Sequence, residues 1–316
     1  MSVILLSYYS NERIVKTFEK VDLLLAKENI PFEFIIMDDG SKDKSFKISK
    51  QLEKRNQGKV FAYQLSKNYT TSYSIFAGLL VSKGACAVAI PDDEQQPYET
   101  LVQMYRLWEK GEKIIIPHRK DRNDKGLHSW FSNLFYYTIN RLSDIKYPPG
   151  GADLFFIDRE IIDIINNGVN PRNTYIIPEI LRLGFEPHFL PYNRPKSVRR
   201  KSRWNFKKRY RLAKNIFLSS SSAPIKFIST IGILTSLFSV LLIIFYLYIK
   251  LFGNEEFWGE FIPGWTSLII IISFFSGLIL FALGIIAEYI WRIYEEVKNR
   301  PSYIIKKKEN GNKQIV

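Results

Sequence analysis

Ala85-Cys86-Ala87-Val88-Ala89-Ile90-Pro91-Asp92-Asp93-Glu94-Gln95-Gln96-Pro97 passes without a break from six apolar residues to three carboxylates and two amides. The apolar half is short and reads as a buried strand. The polar half therefore lies just past a strand's C-terminal end, the edge at which open α/β sheets bind ligands. Neighbouring carboxylates repel one another, so a sheet edge holds them best beside a cation. Hard divalent ions such as Mg²⁺ take oxygen ligands and share them with substrate phosphates. The other reading is an acidic, solvated turn leading into a helix that begins near Glu99. The segment by itself leaves both open.

The chain on either side has a regular rhythm. Val3 to Tyr8 reads as a strand, Asn11 to Glu28 as a helix, and Phe32 to Met37 as a strand ending at Asp38-Asp39-Gly40-Ser41. Ser45 to Asn56 is helical, Val60 to Leu65 a strand, and Thr71 to Ser82 a helix. After Ala85 to Ile90 come a helix over Tyr98 to Gly111 and a strand over Lys113 to Pro117. This alternation predicts an α/β, mostly parallel, doubly wound sheet. Polar clusters recur where strands end: Tyr9, Asn11 and Glu12 after the first, then Asp38, Asp39 and Ser41 after the second. Such carboxylates can accept from a nucleotide's base or ribose, and Gly40 permits a tight turn close to a ligand. Alone, Asp-Gly-Ser is an ordinary turn; three clusters at one sheet edge point to a site. No Walker-type or Gly-x-Gly-x-x-Gly loop is present, so phosphate would have to be held by metal and side chains.

The chain of 316 residues carries a formal net charge of +14, which suggests an anionic partner. Its single cysteine, Cys86, excludes an intrachain disulfide and sits in an apolar strand, as a small core residue does. His118, His128 and His188 have no zinc-site spacing. Met1 to Leu6 lacks a basic n-region and reads as a first strand rather than a signal peptide. Near the C-terminus, residues 227–249 and 264–289 are apolar and long enough to cross a bilayer as helices. Glu255, Glu256 and Glu260 lie between them. Basic residues crowd Arg199 to Lys214 before the first and Arg292 to Lys308 after the second. Positive-inside logic places both termini in the cytoplasm, with Trp258, Trp265 and Trp291 near the interfaces. The expected layout is a cytoplasmic domain over 1–200, a basic juxtamembrane helical segment over 201–226, the two spans, and a basic tail over 290–316, mobile beyond Pro301. Basic residues beside spans, without interleaved base-stacking motifs, point to anionic membrane lipids rather than nucleic acid.

Taken in order, Tyr9-x-Asn11-Glu12, Asp38-Asp39-Gly40-Ser41-x-Asp43, Leu65-Ser66-x-Asn68, Ala77-Gly78 and the acidic turn resemble a family 2 glycosyltransferase of the inverting GT-A type. With two C-terminal spans the chain more narrowly resembles the polyprenyl-phosphate glycosyltransferases, over nearly its whole length. The resemblance implies that Asp93 and Gln95 face Mg²⁺ or Mn²⁺ and the donor diphosphate, while Pro91 and Gln96 stand where that family carries aspartates. Asp92 or Glu94 would have to supply the missing carboxylate, each from one position off register. Arg119 and Arg122 match a basic pair suited to phosphate, and their other reading is a solvated loop. Asp153, in Gly150-Gly151-Ala152-Asp153-Leu154-Phe155, matches the family's active-site aspartate. Ser202 and Arg203, in Lys201-Ser202-Arg203-Trp204, match a basic segment leading to a juxtamembrane helix, where they would meet the acceptor phosphate.

The expected function is transfer of a sugar from a nucleotide diphosphate sugar to a membrane polyprenyl phosphate, with inversion. Tyr9, Asn11, Glu12, Asp38, Asp39, Ser41 and Asp92 would hold the nucleotide sugar, and Asp153 and Asp93 would act in catalysis. The resemblance also makes a homo-oligomer one expected arrangement. Two other functions fit parts of the sequence. A membrane-tethered nucleotide-sugar-binding scaffold would account for Pro91 and Gln96. A glycan-extending synthase is disfavoured by only two spans and by the lack of a Gln-x-x-Arg-Trp motif.

Overall fold

The computed structural model describes residues 1–93, 97–119, 137, 140–141, 145–148, 152, 154–172, 174–193, 223–252, 264–298 and 300–306. The chain forms two compact units, residues 1–220 with 300–316, and residues 221–299.

The first unit is an α/β/α sandwich. Its strands are β1 (Ser2–Ser7), β2 (Glu33–Asp38), β3 (Val60–Gln64), β4 (Cys86–Pro91), β5 (Ile114–Arg119), β6 (Phe156–Asp158) and β7 (His188–Tyr192). Among the described residues the sheet runs β3-β2-β1-β4-β6-β5-β7. β1, β2, β3 and β4 are mutually parallel, in register Ser7 with Asp38 and Asp38 with Gln64. The chain steps outward from β1 to β3, then crosses back to lay β4 on the other side of β1. That reversal opens a crevice at the C-terminal ends of β1 and β4.

Two-residue periodicity divides the core. Val3, Leu5, Phe34, Ile36, Val88 and Ile90 face a layer made of α1 (Arg13–Lys27), α2 (Ser45–Arg55) and α4 (Glu99–Glu109). Ile4, Ile35, Met37, Ala87 and Ala89 face α3 (Thr71–Val81), α5 (Arg159–Gly168) and α6 (Ile176–Arg182). Gly78 lets α3 lie close on the sheet: a Cβ there would stand 2.4 Å from Cγ2 of the fully buried Ile4. Cys86 is fully buried in β4, and burial pushes its thiol pKa up to about 12, as befits a core residue.

The first nine elements fall within two residues of their expected bounds. The structure adds two strands the rhythm did not show. β6 is three residues long and runs antiparallel between β4 and β5, and β7 pairs parallel with β5. For residues 302–306 it also departs from the mobility expected beyond Pro301; residues 307–316 lie outside the described residues. Ile305 bridges Leu65 in antiparallel fashion, Ser66 N donates to Ile304 O at 2.8 Å, and Lys306 N donates to Gln64 O at 2.8 Å. Tyr303 and Ile305 pack on the core. The segment is held because β3 is an edge strand whose backbone groups need partners.

The second unit consists of α7 (Ala223–Phe252) and α8 (Gly264–Val297), which touch each other. Within α8, Phe274–Val297 is long and apolar enough to cross a membrane. Large apolar side chains, among them Leu241, Leu280 and Phe281, are exposed.

Candidate active site

The strand ends around the β1/β4 crevice are tied into one frame. Ser10, three residues past β1, donates from Oγ to Asp92 Oδ2 at 2.5 Å, and Asp92 stands one residue past β4. Arg13 pairs with the same oxygen at 2.8 Å and donates to Tyr9 O at 2.8 Å. The guanidinium thus stands as the counter-charge to Asp92, which is buried. The β1 loop is equally fastened to the β2–α2 connection and the start of α2. Tyr9 N donates to Ser41 Oγ at 3.0 Å, and Ser10 N and Asn11 N both donate to Ser45 Oγ at 2.9 Å.

This fastening holds backbone that would otherwise relax. Tyr9 (φ 52°) and Asn11 (φ 44°) are left-handed, and Thr70 at φ 91° is costly for a β-branched residue. Both oxygens of Asp39 are spent on that loop, accepting from Tyr69 N at 2.7 Å and Thr70 N at 3.0 Å. Burial pushes the Asp39 pKa up to about 6, and these two bonds pull against it. Gly40 completes the join: at φ +70° it lies against Lys67, whose carbonyl carbon would be 2.4 Å from an added Cβ.

Asp38 is fully buried. Its Oδ1 accepts from Ser41 Oγ at 2.5 Å, and its Oδ2 accepts from Ser41 N at 3.0 Å and Gln64 Nε2 at 2.8 Å. Burial raises its pKa despite these bonds. The expected nucleotide-side residues therefore form two layers. Tyr9, Asn11 and Glu12 are exposed on the β1 loop, while Asp38, Ser41 and Asp92 are buried and hold that loop in place, and the buried Asp39 holds the Tyr69–Thr70 loop.

Asp93 follows Asp92, half-buried, in the turn past β4. Arg119 closes β5. Gln95, Arg122, Asp153, Ser202 and Arg203 lie outside the described residues. Among the described residues no three His, Cys, Asp or Glu side chains gather as a metal cage. One carboxylate beside a diphosphate is nonetheless a workable Mg²⁺ or Mn²⁺ setting, since Mg²⁺ commonly takes one or two carboxylates and completes its shell from phosphate and water. Asp92, already paired with Arg13, is the less suited of the two turn aspartates. Sequence reasoning missed Ser10, Arg13, Ser45 and Gln64. Ser10 and Ser45 carried a signal, being small hydroxyls next to strand-end clusters; Arg13, one of 45 Lys and Arg, carried none.

Residues 2–165 match the sequence model of "Glycosyl transferase family 2". The SfII prophage-derived bactoprenol glucosyl transferase of Shigella flexneri is 30% identical over 282 residues, 89% of each chain. The undecaprenyl-phosphate 4-deoxy-4-formamido-L-arabinose transferase of Pseudomonas savastanoi pv. phaseolicola is 24% identical over 318 residues, 100% of this chain and 93% of that one. Among solved structures, a mannosyltransferase from Pyrobaculum calidifontis in complex with GDP-Man and Mn²⁺ aligns at 15% identity and a TM-score of 0.45, over 68% of this chain and 61% of that one.

Proposed function

Because the chain belongs to glycosyl transferase family 2, we propose that it transfers a sugar from a nucleoside diphosphate to a membrane polyprenyl phosphate, inverting the anomeric carbon. The observation that carries this reading is the Ser10–Asp92–Arg13 clamp, which ties the exposed Tyr9 loop past β1 to the start of the acidic turn past β4. The two relatives named for lipid-linked acceptors span nearly the whole chain, so the likeness includes the apolar helices. They are named for different sugars on the same class of lipid acceptor.

In this reading the nucleoside lies against Tyr9, Asn11 and Glu12, and the diphosphate lies toward Asp93. Asp93 with Gln95 would hold Mg²⁺ or Mn²⁺, which when bound offsets charge on the departing nucleoside diphosphate. Arg119 and Arg122 flank the phosphates. The acceptor is already anionic near neutral pH, its second pKa being about 6. It needs orientation more than deprotonation, and Asp153 supplies orientation or electrostatic support. Arg203 and Ser202 receive the acceptor phosphate from a bilayer crossed by both apolar helices, with the catalytic unit on the cytoplasmic side. The basic stretch around them adds attraction to anionic lipid, about 1 kcal/mol per cation near the surface.

The test is transfer of radiolabelled sugar from a panel of nucleotide sugars to a short polyprenyl phosphate, with Mn²⁺ and with chelator. A lipid carrying one sugar is expected, formed only with metal. Asp93→Asn is expected to lower transfer about 100-fold or more while the protein still folds. Nucleotide binding without transfer from any donor would instead establish a scaffold.

A further inference from the structure

The segment that leaves α8 at Val297 enters the sheet by Ile304, and its last described residue reaches the buried centre of the nucleotide side. Lys306 Nζ donates to Gln64 Oε1 at 2.9 Å. Gln64 is buried at the end of β3, and its Nε2 donates to Asp38 Oδ2 at 2.8 Å and to Ser41 O at 3.3 Å. Asp38 accepts from Ser41 Oγ, which in turn accepts from Tyr9 N. One hydrogen-bonded chain thus runs from the C-terminal segment through β3 and β2 to the strained, exposed Tyr9.

The direction of this chain is fixed from both ends, by Lys306 on one side and Asp38 on the other. An ammonium donates and cannot accept, so the Gln64 atom facing it must be the oxygen. The amide NH₂ is then committed to Asp38 and to the Ser41 carbonyl, both acceptors. Asp38 and the Ser41 carbonyl demand the same orientation, so without the cation the amide is held from one side only and its buried oxygen loses its partner. We propose that Lys306 and Gln64 are positioning residues for the donor site, holding Asp38, and through Ser41 the Tyr9 loop, in the conformation that meets the nucleoside. The segment after the second apolar helix is then a working part of the catalytic unit. This rests on reading the β1 and β2 ends as the nucleoside side.

Lys306→Met in the full chain tests it. Backbone bonds from Lys306 N and to Ile304 O do not need the ammonium, so the segment stays docked while the cation goes. The variant is expected to raise donor KM and the Kd for UDP or GDP about tenfold, the scale of one charge-assisted hydrogen bond, with kcat within about twofold. Lys306→Arg is expected to restore the wild-type KM, because a guanidinium also only donates. A wild-type KM and Kd in Lys306→Met, or a lowered Tm with KM unchanged, would overturn the proposal and leave the transfer reading standing. Failure of the wild-type protein to bind either nucleotide, or any nucleotide sugar, would overturn both.

Discussion

Asp39 shows how a buried side chain can be fixed by the loop it serves and still report on pH. Its two backbone bonds stabilise the carboxylate, yet desolvation wins and the pKa rises from 3.8 to about 6. Below pH 3.8 the folded and unfolded chains both hold the proton. Between 3.8 and about 6 only the folded chain holds it. The contribution of Asp39 to stability is therefore greatest at low pH and is lost as pH rises through that window. Asp39→Asn, neutral throughout, removes the dependence. The Tm advantage of wild type over the variant should shrink between about pH 4 and pH 6 and stay level above. A gap independent of pH would mean that the folded carboxylate titrates like an unfolded one.

Gly78 governs how α3 meets the sheet. Placing Ala in a helix ordinarily gains about 1 kcal/mol over Gly. Here the new methyl would meet Ile4, stiff at χ1 and locked in the central strand, and overpacking costs about 1–3 kcal/mol. Gly78→Ala should therefore lower the Tm, whereas Gly168→Ala, with open space around it at the end of α5, should raise it slightly. Combining Gly78→Ala with Ile4→Ala should cost less than the sum, since one methyl fills the other's cavity. Elements of this kind were legible: nine alternating apolar segments between polar turns leave little choice of boundary. β6 was not, because three residues carry no period. The strap at Tyr303-Ile304-Ile305 was hidden by basic neighbours, although its β-branched pair was a strand signal. At the candidate site the residue types were legible but their commitments were not. Asp92 reads as a ligand until Ser10, 82 positions away, and Arg13 are seen to occupy it.

At the level of the whole chain, a unit with a net basic sequence carries two helices whose large apolar side chains are exposed, and such faces are costly in water. The protein should stay with membranes through high-salt washing and be released by detergent; release by salt alone would show that surface charge, not the helices, holds it. Cys86 makes topology easy to map, because a buried thiol titrating at about 12 stays silent toward maleimide near neutral pH. Against that background Glu256→Cys should be labelled by an impermeant reagent from outside the cell and Lys16→Cys should not. The same chain poses a problem for the ribosome. β3 is made long before the segment that caps its C-terminal end, since Gln64 and Lys306 are 242 positions apart. Until that segment emerges, the edge is a bare template for strands of neighbouring nascent chains. Both apolar helices are made before that segment, so β3 gains this partner only after they have emerged. Truncations ending before Ile304 should consequently be recovered as aggregates more often than as soluble fragments.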